Sequence, residues 1–389
     1  MDGCSDTIQD FYCCVRQKGC VLMGKEPIRV LQIIGLACGG GVESAIMNYY
    51  HHIDTNKVQF DFIVHKNPYK AFVDEAHSMG AKVYEVTPYT KNIFKFTYEI
   101  YQICKKGQYN IVHSNMNSLS FFPLFAAWLA GSKIRILHNH TTDSPIEGLR
   151  TFFKRILRPF ARLVANNYLA CSKKAAVWMY GENAIASGKV TIINNAIDLK
   201  KFAFDRNKRQ FIRKQLKLEN NFVIGHVGRF VQTKNHEFIV DVFAEVLKSE
   251  PNARLLLVGD GPLKNHIENK VVQLGLTDKV IFAGVRNDVA NLYNAMDVFI
   301  LPSHYEGLGL VGVEAQANGL QYFLSDVITR EVEVTDLCHF VSLNKSPKEW
   351  SCDILSVEGV VRKNKLTDIS EAGFDITVEA KKLEKIYLV

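Results

Sequence analysis

The chain has 389 residues, 47% hydrophobic and 22% charged. That balance suits a globular protein of two ordinary domains and excludes a disordered or fibrous chain. No run of eighteen apolar residues occurs, so no membrane-spanning helix is expected. The formal net charge is +7, and seven Lys/Arg without any Asp/Glu fall between Leu149 and Gly181.

The first 22 residues, MDGCSDTIQDFYCCVRQKGCVL, lack periodicity and do not have the basic start and apolar core of a signal peptide. The working protein is therefore expected to begin near Met23, with residues 1–22 an extension outside it. Cys4, Cys13, Cys14 and Cys20 match no zinc spacing and have no histidine among them. The nine cysteines read as reduced cytosolic thiols.

From residue 28 onward, short apolar runs alternate with stretches of helical length. The first half gives candidate strands at 28–34, 59–64, 82–86, 110–114, 133–138, 168–172 and 190–195. The second half gives 222–228, 253–260, 279–284, 297–303, 321–326 and 338–343. Strand–helix alternation implies parallel sheets covered by helices. Thirteen strands are too many for one comfortable sheet, and residues 196–221 form a polar break. The expectation is an α/β protein of two doubly wound, Rossmann-like domains, 23–200 and 201–370, facing a central cleft. The segment 371–389 is expected to be a helix packing across the hinge.

Open α/β sheets bind ligands beyond the carboxyl ends of their strands. After the first strand, Gly39, Gly40 and Gly41 precede a helix opening with Glu43 and Ser44, a loop that admits a phosphate or is a tight turn. It is neither GxGxxG nor a Walker loop. After the fifth strand come His138 and His140, either functional or structural; a metal pair there lacks an evident third ligand. In the second domain, Arg229 and Lys234 follow a strand-end glycine and suit a diphosphate, with Asn235 read as a helix N-cap. Asp260 caps the VGDGP turn, and the backbone of Val285 and Arg286 could meet a nucleobase edge; both are also ordinary turn chemistry.

The stretch SHYEGLGLVGVEAQANG carries Glu306 among Gly307, Leu308 and Gly309, then Glu314 in a helix starting near Leu310. Eight helical positions span about 12 Å, too far for two carboxylates flanking one bond. The spacing suits a clamp on an elongated ligand, with its anionic middle on the helix N-terminus.

GGGVESAIMNYYHHID, HNHTTDS, NAIDLKKF, VGRFVQTKNHEF, VGDGP and especially EGLGLVGVEA together resemble the retaining family-4 glycosyltransferases of GT-B fold, bacterial capsular or exopolysaccharide type. The resemblance runs from about Arg29 to the C-terminus. It implies that Glu306 contacts the donor sugar and Glu314 the nucleotide ribose. It implies that Arg229, Lys234, Gly40 and Gly41 hold the diphosphate and that His138 lies near the anomeric carbon. It also implies no metal and no cofactor, the nucleotide-sugar being a substrate, and retention by same-face attack. Leu308 stands where Phe is frequent, Thr233 where acidic residues or glutamine are common, and HNH where HSH is more usual, leaving open whether His138 or His140 acts.

The expected activity is transfer of a hexose from a nucleotide-sugar, a UDP-sugar, to a lipid-linked or oligosaccharide acceptor at the inner face of the membrane. A non-catalytic glycosyltransferase-like partner subunit and a nicotinamide-dependent oxidoreductase are the rivals. The latter lacks its dinucleotide fingerprint. The basic segment 149–170 reads either as an amphipathic helix resting on anionic lipid or as an ordinary helix with a basic solvent face. No nucleic-acid-binding module is visible.

Overall fold

The computed structural model describes residues 26–35, 41–140 and 149–388, side chains 149–151 and 153 excepted. Two parallel sheets organise it. The first contains β1 Ile28–Gly35, β2 Val58–His65, β3 Val83–Val86, β4 Ile111–Ser114, β5 Ile134–Asn139, β6 Asn167–Ala170 and β7 Val190–Ile192. Its order is β3-β2-β1-β4-β5-β6-β7. The second contains β8 Val223–Val227, β9 Arg254–Val258, β10 Val280–Gly284, β11 Val298–Leu301, β12 Gln321–Ser325 and β13 Cys338–Val341, ordered β10-β9-β8-β11-β12-β13. Winding reverses between β1 and β4, and again between β8 and β11. Crevices open at the carboxyl ends of the strands at such points.

The strands read as near-continuous apolar runs because helices cover both sheet faces. Side chains alternate across the sheet with period two. Val30, Phe60, Phe62, Ile111 and Ile136 therefore join one core, while Leu31, Ile33, Ile63, Val112 and Leu137 join the other. The second sheet divides likewise, with Leu256, Phe299 and Leu301 on one face and Leu255, Leu257 and Ile300 on the other.

Eight helices bear on the site. They are α1 Gly41–His52, α2 Ile93–Gly107, α3 Phe121–Leu129, α4 Leu149–Val164, α5 His236–Ser249, α6 Val289–Ala295, α7 Leu310–Ala317 and α8 Ile376–Tyr387. The chain leaves the first core after Ala196 and enters the second at Ile197. It returns after Phe374, and α8 buries Ile376, Ala380, Leu383 and Tyr387 in the first core. The two crossings pair with each other: Ile197 N donates to Phe374 O at 3.0 Å, and Ile376 N donates to Ile197 O at 3.0 Å. Among the described residues no helix is long and apolar enough to cross a membrane.

Candidate active site

A cleft of about 690 Å³ lies between the two sheets, lined from the first domain by Glu43, Ser44 and Asn48 of α1 and by Tyr69 and Glu75. Asp198 and Lys201 line it beside the hinge, and Asn287, Leu310 and Glu314 line it from the second domain. Two helices thus begin at this space, α1 at Gly41 and α7 at Leu310. First-turn amides have no intrahelical acceptor, and the positive end of the helix dipole adds to them, so both ends favour an anion. Gly41 has open space where a side chain would sit. Gly40 lies outside the described residues.

The start of α7 depends on Gly309, which takes a left-handed conformation with φ of 73°; a side chain is strained there. Leu308, just before it, is 9% exposed and belongs to the second core, so it anchors the turn. Gly307 is exposed with free space around it. The turn holds Glu306, whose Oε1 accepts from Lys234 Nζ at 2.5 Å and from Ser303 Oγ at 2.8 Å. Glu306, Lys234 and Arg229 do not reach the wall of the large cleft. They sit at the ends of β11 and β8.

Arg229 is exposed and has no side-chain hydrogen bond or ion pair among the described residues. The loop carrying it rests on the VGDGP turn. Phe230 N donates to Asp260 O at 3.0 Å, and Leu263 N donates to Phe230 O at 3.1 Å. A Cβ on Gly259 would fall 2.1 Å from Gly228 O, and one on Gly261 would fall 2.6 Å from Phe230 O. These glycines allow two backbones to touch. Asp260 is exposed, and its Oδ1 accepts from the amide of Gly261 at 2.7 Å. Asn235 stands at the N-cap of α5 in a left-handed conformation, with no side-chain capping bond; its backbone turns the chain instead. Val285 is 70% exposed. The Arg286 guanidinium grips Asp288 through two bonds of 2.7 and 2.8 Å.

Glu314 receives a hydrogen bond of 2.8 Å from Tyr293 OH. Burial pushes its carboxyl up to about 7, against the opposing pull of the Tyr293 bond and of nearby Lys201. Tyr293 does not stand out in sequence, reading as core on a helix face, and Lys201 lies in the NAIDLKKF stretch, which does not single it out.

His138 is the next-to-last residue of β5 and His140 lies just after the strand, 3% and 8% exposed. They line a separate cavity of about 10 Å³ behind α1, together with Gln32, His113, Asn115 and Asn195. Ala45 lines both that cavity and the large cleft. Burial pulls His113 down to about 3 and His140 to about 4, and lowers His138 well below its usual value, so all three rings are neutral at pH 7. Among the described residues no group of three or more His, Cys, Asp or Glu is arranged to hold a metal.

Two family models match the chain. "Glycosyltransferase Family 4" matches residues 39–201, and "Glycosyl transferases group 1" matches residues 207–358. EpsF of Bacillus subtilis (strain 168) is 31% identical over 94% of this chain and 97% of its own length. A UDP-Gal:alpha-D-GlcNAc-diphosphoundecaprenol alpha-1,3-galactosyltransferase of Escherichia coli is 27% identical over 74% of this chain and 78% of its own. The crystal structure of Anabaena HepE in complex with UDP-glucose superposes with a TM-score of 0.73, at 20% identity, covering 93% of this chain and 100% of that one. The chain belongs to the family-4 glycosyltransferases and is a glycosyltransferase of GT-B fold.

Proposed function

We propose that this enzyme moves a hexose from a UDP-sugar onto a lipid-linked glycan, in the assembly of a capsular or extracellular polysaccharide, with retention at the anomeric carbon. The observation that carries this reading is the pair of helix N-termini meeting at one cleft, with Glu314 beyond the start of α7 and the Lys234–Glu306 pair before it. That order matches the parts of a nucleotide-sugar: ribose at Glu314, diphosphate at the helix starts, sugar at Glu306. Arg229 and Lys234 are the cations for the leaving diphosphate, and preorganised donors of this kind stabilise developing charge without reorganisation. Gly41 gives the phosphates close approach from the first domain, and His138 serves the sugar end. On this reading the leaving group departs on the face from which the acceptor attacks, and the donor is a substrate that needs no cofactor. The relatives support the substrate classes: the E. coli enzyme is named for UDP-Gal and a diphosphoundecaprenol-linked acceptor, and HepE was crystallised with UDP-glucose.

The acceptor's lipid implies work at a membrane. Helix α4 supports this, since Phe152, Ile156, Phe160 and Leu163 are exposed. Phe160 adjoins an apolar groove formed by α2 and α3, its ring 6.0 Å from that of Phe121. Such a face, flanked by the exposed Arg162, fits the inner surface of an anionic membrane.

A thermal-shift series with UDP-, GDP- and dTDP-sugars tests the donor, because a true donor stabilises the fold by mass action. A shift with UDP-sugars and transfer to a diphospholipid-linked acceptor are expected. A shift confined to another nucleotide would overturn the donor assignment.

A further inference from the structure

The histidines behind α1 belong to one hydrogen-bonded chain that begins on the C-terminal helix. Tyr387 OH lies 2.6 Å from His113 Nδ1, and His113 Nε2 lies 3.1 Å from His138 Nδ1. Gln32 Nε2 donates to Tyr387 OH at 3.0 Å, and Asn115 Nδ2 donates to Gln32 Oε1 at 3.1 Å. Asn115 Oδ1 lies 2.9 Å from His140 Nε2. Tyr387 is fully buried and His113 is 2% exposed. His138 Nε2 and His140 Nδ1 have no hydrogen bond of good geometry among the described residues, although the Asn195 side chain interacts with the His140 ring.

The polarity of the chain follows from counting protons. A phenol carries one proton, and a neutral imidazole carries one N–H and one lone pair. Tyr387 already accepts from Gln32. If it also accepted from His113, its own proton would be buried without an acceptor, an arrangement folded proteins avoid. Tyr387 therefore donates to His113 Nδ1. That leaves the proton of His113 on Nε2, where it is given to His138 Nδ1. His138 then carries its own proton on Nε2, the atom without a partner. On the other branch Asn115 Oδ1 can only accept, so His140 is protonated at Nε2 and presents a lone pair at Nδ1.

We propose that Tyr387, through His113, is a positioning residue that fixes His138 as an Nε2–H donor beside the His140 Nδ1 acceptor. The two rings, with centroids 4.0 Å apart, then offer one donor and one acceptor at a cavity the size of a hydroxyl group. A sugar hydroxyl has that complement of lone pair and proton. The device also ties the site to the seating of α8, because the short bond to His113 Nδ1 comes from Tyr387 when it is docked in the first domain, while Gln32 Nε2 stands farther off at 3.5 Å. The inference rests on the reading that the donor sugar binds beside His138, and its primary test needs no sugar.

The test is nitrogen-15 NMR of the histidine rings in the full-length protein at pH 7, with His138 identified by the signals lost in His138→Asn. The expected spectrum has His138 protonated at Nε2 and bare at Nδ1. A proton on Nδ1 would mean that both amides are turned and the chain runs the other way, and it overturns the proposal. Tyr387→Phe keeps the ring packing and removes the proton. In that variant His138 should become a mixture of tautomers, while the melting transition stays cooperative. Transfer should fall about tenfold in kcat, part of what a positioned proton donor contributes, with KM for the donor little changed. An unchanged His138 spectrum in Tyr387→Phe also overturns the proposal, whatever the activity. The expected spectra in a protein that transfers no sugar would leave the chain standing and remove the functional reading instead.

Discussion

Lys234 and Glu306, 72 positions apart, form an ion pair at the mouth of the second sheet, with Lys234 Nζ 2.5 Å from Glu306 Oε1. Both side chains are largely buried, at 19% and 9% exposure. The pair couples the cation assigned to phosphate with the carboxylate assigned to the sugar. On the proposed reading, a diphosphate that draws Lys234 away would free Glu306 to accept sugar hydroxyl bonds, so that donor binding would prepare the carboxylate. Glu306→Gln keeps the shape and the Ser303 contact but loses the charge. Transfer should drop by about 10²–10³, the usual loss when a preorganised charge contact is removed, with a loss of stability smaller than that of Lys234→Ala, because the glutamine oxygen still accepts from Lys234 Nζ while the counter-charge is gone. Lys234→Ala should cost both activity and about 1–3 kcal/mol of stability, because Glu306 is left with Ser303 alone. Steady-state transfer assays and chemical denaturation read the two effects separately.

Glu314 gives a pH dependence of definite sign. Its folded carboxyl is raised to about 7 by burial, so between the ordinary carboxylate range and pH 7 the folded state binds more protons than the unfolded chain. Stability from this group is therefore present at pH 5 and declines as pH rises toward 7. On the proposed reading binding runs the other way, since a ribose hydroxyl at Glu314 would donate best to the ionised carboxylate. Glu314→Gln should flatten the decline in melting temperature between pH 5 and pH 8. Donor affinity in the wild type should rise over the same interval. A steeper decline in the glutamine variant would contradict the assignment.

The glycines of the second domain separate into two kinds. A Cβ at Gly259 would sit 2.1 Å from Gly228 O, and the residue has a φ of 135°, whereas Gly307 has nothing within 4 Å. Gly259→Ala should push the Arg229 loop off its support, costing about 1–3 kcal/mol in backbone strain together with donor affinity. Gly307→Ala should be near neutral for stability. Parallel denaturant melts and donor titrations check the contrast. Equal effects would mean that the contact between the two loops does not hold Arg229 in place.

Much of this was legible in the sequence. The inner strands are short apolar runs ended by turn residues, buried on both faces, and their length and spacing between helical stretches identify them. The turn-then-helix form of EGLGLVGVEA could be read because Gly309 is needed where the chain turns left-handed. What stayed hidden depends on distant contacts. No local pattern links Lys234 to Glu306, or Gln32, His113 and His138 to Tyr387. The protonation-prone state of Glu314 comes from its burial, against the pull of Tyr293, a residue that periodicity describes only as core. For α4, the sequence gives the amphipathic pattern and the structure adds which side chains the fold covers. Ala161 is buried, while Phe152, Ile156 and Leu163 remain outside. Arg158 is turned inward, donating to Trp178 O at 2.6 Å.

That exposed stripe supports a prediction about location. Ile156 and Leu163 are 46% and 79% exposed, and removing them should not disturb the core. Ile156→Ser with Leu163→Ser should reduce partition onto anionic vesicles by about tenfold, since each large apolar side chain moved from water into the interface contributes on the order of 1.5–3 kcal/mol when fully buried and less when partly so. Wild-type binding should weaken as salt rises, because the basic residues of α4 act through screened charge, and zwitterionic vesicles should hold little protein. Donor-induced thermal shifts should match between wild type and the double variant, which separates a docking defect from a damaged site. If the variant partitions as the wild type does, α4 is an ordinary surface helix and the enzyme meets its acceptor through another face.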